Sequence, residues 1–125
     1  MASRQPWAIS QMYGKDGNRM GFLDMFKQTG MNDGVEQYRQ TKDAVLLDVR
    51  SAEEYKEGHV PGSTNLDVEC IQNAPSVIPE KETPLFVYCR SGARSSRAVS
   101  ALKHMGYTNV MSIGGIMEYE GPMEK

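Results

Sequence analysis

Short apolar runs alternate with stretches of helical periodicity from residue 29 onward. This alternation is typical of β-α units stacked around a mostly parallel sheet. The run at 85–88 is continuously apolar, as in a strand buried on both faces, and it ends directly at Cys89. Together the apolar runs predict four strands, which lie at 44–49, 64–66, 85–88 and 109–112.

Polar residues mark the starts of the first two predicted helices. Asn32 or Asp33 is placed to cap a helix that continues through Gln40. Ser51 followed by Glu54 has the spacing of a capping box, in which the side chain of each residue binds the backbone N–H of the other. This spacing predicts a short second helix after the first strand.

A longer amphipathic helix is predicted after Cys89. Its apolar residues recur at i, i+3, i+4 and i+7, and Gly106 is placed to terminate it. These apolar residues are Ala98, Ala101, Leu102 and Met105. Farther along, Gly114 and Gly115 indicate a turn that leads into a last helical segment around 117–120.

Residues 1–28 show no sustained period of helix or strand. We interpret them as an N-terminal extension that is poorly ordered or arm-like, and residues 29–125 as one folded domain. An arm that docks on a partner would use the scattered apolar residues Trp7, Phe22, Leu23 and Phe26. Isolated apolar residues near a terminus are common, so the poorly ordered extension is the favoured interpretation.

Length and charge narrow the class of protein. A chain of 125 residues is long enough for one compact domain with a single core. The net charge of −2 does not indicate binding to nucleic acid or to a membrane surface, both of which favour clustered Lys and Arg. No apolar run reaches the roughly 20 residues of a membrane span or has the form of a secretory signal, so we expect a cytoplasmic protein.

The chain has two cysteines, Cys70 and Cys89. In a reducing compartment we expect both to be free thiols, because structural disulfides are rare there. Only two histidines accompany them, and no pair of these residues has a metal-ligand spacing. We therefore expect neither a metal nor another cofactor.

The segment from Cys89 to Arg94 carries the candidate chemistry. In a parallel sheet, ligands bind beyond the carboxyl ends of the strands, where loops lead into helix N-termini. Gly92 allows the loop to curl, and the helix dipole together with Arg90 and Arg94 favours the nucleophilic thiolate. We expect an exposed, reactive Cys89 beside an anion-binding loop of Arg90, Ser91, Gly92, Ala93 and Arg94; the alternative is an inert buried cysteine at a strand end.

Several motifs in this order resemble the single-domain rhodaneses, over about residues 31–121. The family's first signature is similar to LLDVR at 46–50 and GHVPGS at 58–63, and its active-site loop is similar to VYCRSGARS at 87–95. IGGI at 113–116 followed by Tyr119 resembles its C-terminal signature, where a tryptophan is commoner than tyrosine.

The resemblance implies a three-layer α/β domain, with a mostly parallel five-stranded sheet flanked by helices. It also implies that Cys89 cycles between thiolate and persulfide, and that Asp48 and Arg50 support the loop. From the residues themselves, we expect Asp48 to orient a loop arginine or a backbone N–H. We expect Arg50 to form an ion pair with Glu53 or Glu54 of the following helix.

The expected activity is sulfur transfer from a small anionic donor such as thiosulfate to cyanide or to a thiol of a small molecule or protein. We expect a monomer or a weak homodimer.

One alternative is a rhodanese-like module that binds a partner without catalysis. Another is a cysteine-dependent phosphatase, but its loop would place five residues between Cys and Arg where this chain has four. A further alternative is that Cys70 is a resolving thiol, which accepts sulfur from Cys89 or forms a disulfide with it. The favoured interpretation is an ordinary cysteine in a connecting segment.

Overall fold

A computed structural model of the protein describes residues 30–125. The predicted extension at 1–28 lies outside the described residues. Within them, four parallel strands form one sheet with the order β2-β1-β3-β4. The strands are β1 (Val45–Asp48), β2 (Thr64–Asn65), β3 (Leu85–Cys89) and β4 (Val110–Gly115).

The parallel α/β fold is confirmed, and so is the position of each strand predicted from the apolar runs. The fifth strand implied by the resemblance is wrong for residues 30–125, where the sheet has four. The helices are α1 (Met31–Gln40), α2 (Ala52–Glu57), α3 (Ala74–Val77) and α4 (Ala93–His104), with 3-10 segments at Val68–Asn73 and Ile116–Glu118.

Alternating residues of the two central strands face opposite sides of the sheet, as the period of a β-strand requires. Leu46 and Phe86 pack with Met31 and Val35 of α1, and together they form the core on one face. The other face carries a larger core that joins the sheet to α4, α3 and the segment Val68–Asn73. Its central members are Leu47, Val49, Leu85, Val87, Cys89, Ala98 and Leu102. Because Cys89 belongs to this second core, its side chain points toward the α4 layer.

The predicted capping box at the start of α2 is confirmed. The Ser51 hydroxyl accepts a hydrogen bond from the Glu54 backbone N–H at 3.2 Å, and Glu54 Oε1 accepts one from the Ser51 backbone N–H at 2.9 Å. Both donors are N–H groups that a helix start leaves without an intrahelical partner. This reciprocal pair therefore fixes the Glu54 carboxylate at the N-terminus of α2.

The predicted side-chain cap of α1 is wrong. The N-cap residue is Gly30, which has no capping side chain, so neither Asn32 nor Asp33 occupies that position. The Asn32 side chain instead donates to the Glu118 carbonyl at 3.1 Å and accepts from the Glu120 N–H at 2.8 Å. Asn32 thus holds the C-terminal segment against α1, a contact between residues too distant in sequence for a local pattern to indicate.

The segment after β4 also differs from its prediction. Gly114 and Gly115 do not form a turn, because β4 continues through Gly115, and the helical segment is the single 3-10 turn Ile116–Glu118. Gly114 has φ 104°, a left-handed conformation that favours glycine, and the pairing of β4 with β3 is irregular between Val87 and Tyr88. The irregularity brings Gly115 directly opposite Cys89.

Candidate active site around Cys89

Cys89 is the last residue of β3, at the carboxyl edge of the sheet. The residue is only 1% exposed, so the prediction of an exposed thiol is wrong. The reason is tertiary packing, since α4 covers one face of the strand end and β4 runs alongside it. The thiol is therefore buried, and the loop contacts it through the Gly92 N–H.

Backbone N–H groups surround the buried sulfur. The Gly92 N–H donates to Cys89 Sγ at 3.0 Å. Gly92 is the N-cap of α4 and has φ 112°, so the left-handed turn that aims its N–H at the sulfur favours glycine. Burial raises the pKa of the Cys89 thiol, but hydrogen bonds from Ser95, Gly92 and Ser91 outweigh burial and lower that pKa below its ordinary value.

These donors distinguish Cys89 from an inert buried cysteine, whose thiolate would have no such stabilisation. The thiolate is favoured by N–H groups at the start of α4 and by a hydroxyl. We expected the start of the helix and the two loop arginines to favour the thiolate together; the largest causes that lower the pKa of Cys89 are hydrogen bonds at the start of the helix. The site is therefore a small cradle for negative charge on sulfur.

Ser95 is a site residue that was not among the predicted anion-binding residues 90–94. It is fully buried in the first turn of α4, and its hydroxyl donates to the Gly92 carbonyl at 3.0 Å. Ser112 Oγ on β4 lies 2.9 Å from Ser95 Oγ. Both the backbone and the hydroxyl of Ser95 help to lower the pKa of Cys89. The sequence signal was its position directly after Arg94, at the end of the candidate loop.

Arg94 forms a bidentate ion pair with Glu54, at 2.8 and 3.0 Å between the guanidinium nitrogens and the two carboxylate oxygens. The hydrogen bond from Arg94 is the largest cause that lowers the pKa of Glu54, to about 2. Arg94 also lies within electrostatic range of Cys89. One of the two arginines predicted to bind an anion is thus already paired with a carboxylate.

The other loop residues lie at the mouth of the site. Arg90, Ser91 and Ala93 are exposed. The Arg90 guanidinium makes no hydrogen bond or ion pair with any residue in the range 30–125, while its carbonyl accepts from the Met117 N–H at 3.2 Å. Arg90 therefore has the free cationic side chain expected of both loop arginines.

Gly115 is a second residue that the analysis missed as part of the site. A Cβ atom at this position would overlap the Arg90 carbonyl oxygen and lie 2.5 Å from Ser91 Cα. Its backbone is extended, at φ −136° and ψ 147°, so close approach and not conformation requires glycine. The end of β4 thereby sets the position of the loop backbone.

Asp48 and Arg50 form a buried ion pair at the end of β1, with 2.7 Å between Arg50 Nη2 and Asp48 Oδ2. The expected pair of Arg50 with Glu53 or Glu54 is wrong. Asp48 is fully buried and two residues away, and the extended chain between them lets the Arg50 side chain return to it. Burial lowers the pKa of the Arg50 guanidinium, but the Asp48 carboxylate outweighs burial and raises it.

This pair supports the strand beside the site. Asp48 pairs in register with Tyr88, the residue before Cys89, and Asp48 Oδ1 also accepts from the Arg50 backbone N–H at 2.9 Å. Arg50 Nη2 donates to the Gly58 carbonyl at 2.7 Å. Asp48 thus orients a backbone N–H, which was one of the two roles expected for it. Arg50 holds the turn after α2 in place.

Neither cysteine is in a disulfide, and Cys70 is exposed on the segment Val68–Asn73. Across residues 30–125 no group of three or more His, Cys, Asp and Glu side chains has an arrangement suited to a metal ion. Over the same range no helix is both long enough and apolar enough to cross a membrane.

The sequence matches the model of the rhodanese-like domain over residues 31–121, which is most of the chain. The chain belongs to the rhodanese-like domain family. Its described elements lie almost wholly inside that range, and Cys89 with its loop is central to it.

Several curated relatives of this rhodanese-like domain have sulfurtransferase names. The thiosulfate sulfurtransferase PspE of Escherichia coli is 35% identical over 80 residues, which cover 63% of this chain and 77% of the relative. The adenylyltransferase and sulfurtransferase uba4 of Ogataea parapolymorpha is 36% identical over 86 residues, but the match spans only 22% of its length. A solved rhodanese with anions from E. coli has a TM-score of 0.62 at 32% identity, over 66% of this chain and 98% of that one.

Proposed function

We propose that this rhodanese-like domain is a sulfurtransferase that carries a sulfane sulfur as a persulfide on Cys89. The observation that carries the proposal is the Gly92 N–H, which donates to the Cys89 sulfur at 3.0 Å from the N-terminus of α4. Together with Ser91 and Ser95 it lowers the pKa of the thiol. The name of the relative PspE, a thiosulfate sulfurtransferase, supports the same reaction class.

In the first half-reaction, the Cys89 thiolate attacks the outer sulfur of thiosulfate. A new S–S bond forms to Cys89 while the bond between the two sulfurs of thiosulfate breaks, and sulfite leaves with the bonding electron pair. One thiolate and one dianion become one persulfide anion and one sulfite dianion, so charge is conserved and no proton is needed. The loop N–H groups stabilise the terminal persulfide sulfur.

In the second half-reaction, a nucleophilic acceptor attacks that terminal sulfur. Cyanide gives thiocyanate, and a thiolate gives a new persulfide; in both cases the electron pair of the broken S–S bond returns to the Cys89 thiolate. No external oxidant or reductant is consumed. In a cell, a thiol of a small molecule or of a protein is the acceptor that this chemistry favours.

Arg90 provides the charge that guides an anionic donor to the loop. Its guanidinium is exposed and is not paired with any of the described residues, whereas Arg94 is held by Glu54. A flexible cation at the mouth of a site attracts anions and helps to neutralise a departing sulfite. We therefore assign donor attraction to Arg90 and stabilisation of the reacting sulfur to the loop backbone.

The site is less suited to phosphoryl transfer. A phosphate held in such a loop is bound most strongly by an arginine without a competing carboxylate, because a paired carboxylate occupies some of the N–H donors and offsets the positive charge. Both terminal nitrogens of Arg94 are bonded to Glu54. The pairing of Arg94 with Glu54 therefore favours sulfur transfer over phosphoryl transfer at Cys89.

The test is persulfide formation measured by intact mass after incubation with thiosulfate. The wild type and a Cys70→Ser variant are expected to gain one sulfur atom, and a Cys89→Ser variant none. Ping-pong kinetics with thiosulfate and cyanide should accompany the mass change. A wild type without added sulfur, or a Cys89→Ser variant with as much as the wild type, contradicts the proposal and leaves a non-catalytic module as the alternative.

A further inference from the structure

The ion pair between Glu54 and Arg94 joins α2 to the first turn of α4 across 40 residues of sequence. Both side chains are about 30% exposed, so the pair lies at the rim of the site and is partly shielded from water. Its carboxylate is also held by the capping box, because Glu54 Oε1 accepts from the Ser51 N–H as well as from Arg94. A carboxylate fixed in this way holds the guanidinium in one position.

We propose that Glu54 is a specificity-determining residue that neutralises Arg94 and thereby weakens the binding of dianionic sulfur donors in favour of donors with less negative charge. This inference rests on the proposed function, because it concerns which donor the same site accepts. It concerns the charge of the donor and not the reacting sulfur.

The charges of the described site support this assignment. Among residues 30–125, Arg94 is paired with a carboxylate and Arg90 is not, and Asp67 adds a further negative charge within electrostatic range of Arg94. Of the two loop arginines, Arg90 therefore keeps its charge for an incoming anion, and that charge is exposed and screened by solvent. A site that selected a dianion would be expected to direct two free cations at it.

A Glu54→Gln variant tests the charge without removing the cap. Glutamine keeps an oxygen that accepts from the Ser51 N–H, so α2 retains its capping box. Glu53→Gln is the matched control, since Glu53 is an exposed neighbour on the same helix with no ion pair to residues 30–125. Glu54→Asp keeps the negative charge but shortens the side chain. Comparison with Glu54→Gln therefore shows whether an effect comes from the lost charge or from the changed side-chain geometry.

The first measurement is the ratio of alkylation rates of Cys89 by iodoacetate and by iodoacetamide, in a Cys70→Ser background. Both reagents react with the same thiolate, so the fraction of thiolate cancels in the ratio. Because iodoacetate is an anion and iodoacetamide is neutral, the ratio measures how strongly the site attracts an anion. It does so whether or not the protein transfers sulfur. Removing one nearby negative charge is expected to raise the ratio about threefold to tenfold in Glu54→Gln. Glu53→Gln and Glu54→Asp should stay close to the parent, and the gain should shrink in high salt.

The second measurement is the KM for two donors of different charge. Glu54→Gln is expected to lower the KM for the dianion thiosulfate by about threefold to tenfold, and that for the monoanion benzenethiosulfonate by less, because the Coulomb energy scales with ligand charge.

An equal iodoacetate preference in Glu54→Gln and Glu53→Gln overturns the inference. So does a Cys89 that neither reagent modifies, or an equal gain in Glu54→Asp. If instead no donor adds sulfur to the parent protein while the alkylation ratio rises in Glu54→Gln, the proposed function fails and the electrostatic role of Glu54 stands.

Discussion

The hydroxyl oxygens of Ser95 and Ser112 lie 2.9 Å apart, and this contact joins the first turn of α4 to strand β4 behind the reacting sulfur. Ser95 is fully buried and also donates to the Gly92 carbonyl. A hydroxyl has one hydrogen, which can rotate, so the Ser95 hydroxyl can turn from the Gly92 carbonyl to donate to a negative sulfur while it accepts from Ser112. Ser95 is then a hydrogen-bond donor to the Cys89 thiolate.

Ser95→Ala is expected to raise the pKa of the Cys89 thiol. A thiol with a higher pKa has a smaller thiolate fraction below that pKa, so the alkylation rate at pH 7 should fall by about tenfold, as for loss of one hydrogen bond to a charged group. Above the pKa of both proteins the rates should converge. The measurement is the pH dependence of iodoacetamide alkylation of Cys89.

Ser96→Ala is the matched control, since Ser96 follows Ser95 in the same helix but is exposed. Its profile should coincide with that of the wild type. A profile of Ser95→Ala with an unchanged midpoint would show that the hydroxyl does not stabilise the thiolate.

Gly115→Ala is expected to displace the loop at Arg90 and Ser91, because the added methyl group has no space beside them. A displacement of about 1 Å at a reacting centre costs on the order of a hundredfold in rate. Persulfide formation from thiosulfate, followed by intact mass, should slow by about that factor. Gly30→Ala is the control, as its Cβ would meet no atom within 4 Å. Similar rates for the two variants would contradict the steric role of Gly115.

The elements around the site could be predicted from local patterns. The continuous apolar run before Cys89 predicted β3, and the spacing of Ser51 and Glu54 predicted α2 and its cap. Both signals depend on residues only a few positions apart. Local patterns also indicated that Gly92 forms the curl of the loop, which its left-handed conformation confirms.

What the sequence did not reveal depends on contacts between distant segments. The partner of Arg94 is 40 residues away, and the loop meets Gly115 only because β4 lies next to β3. The burial of Cys89 likewise results from α4, which packs on one face of the strand end, and from β4, which pairs alongside it. The charges of residues and their spacing along the chain do not indicate which distant segments come into contact.

Removing one partner of the buried pair between Asp48 and Arg50 is expected to destabilise the fold strongly. Asp48→Asn leaves the Arg50 guanidinium buried without a counter-charge, and the usual cost of such a change is about 3–5 kcal/mol in the free energy of unfolding. Urea denaturation measures it. Glu36→Gln, which breaks the exposed pair of Glu36 with Arg39, should cost less than about 1 kcal/mol. Equal costs in the two variants would contradict the buried role of Asp48.

The contribution of the ion pair of Glu54 with Arg94 to the free energy of unfolding should be lost at acid pH. The pair lowers the pKa of Glu54 in the folded protein to about 2, against an ordinary value of 4.5. A carboxyl whose pKa is lowered on folding stabilises the protein fully above the unfolded value, and the contribution declines as pH falls through the folded value. Glu54→Gln should therefore be less stable than the wild type by about 1 kcal/mol at pH 7, the scale of a partly exposed pair.

This difference in the free energy of unfolding should shrink steadily below pH 4.5 and approach zero near pH 2, where the protonated wild-type carboxyl resembles the amide of the variant. Urea denaturation at a series of pH values between 7 and 3 measures the trend. Glu53→Gln, which lacks the partner on α4, should show a smaller and flatter difference. A Glu54→Gln deficit that stays constant over this range would mean that the side chain stabilises the fold through shape and not through its charge.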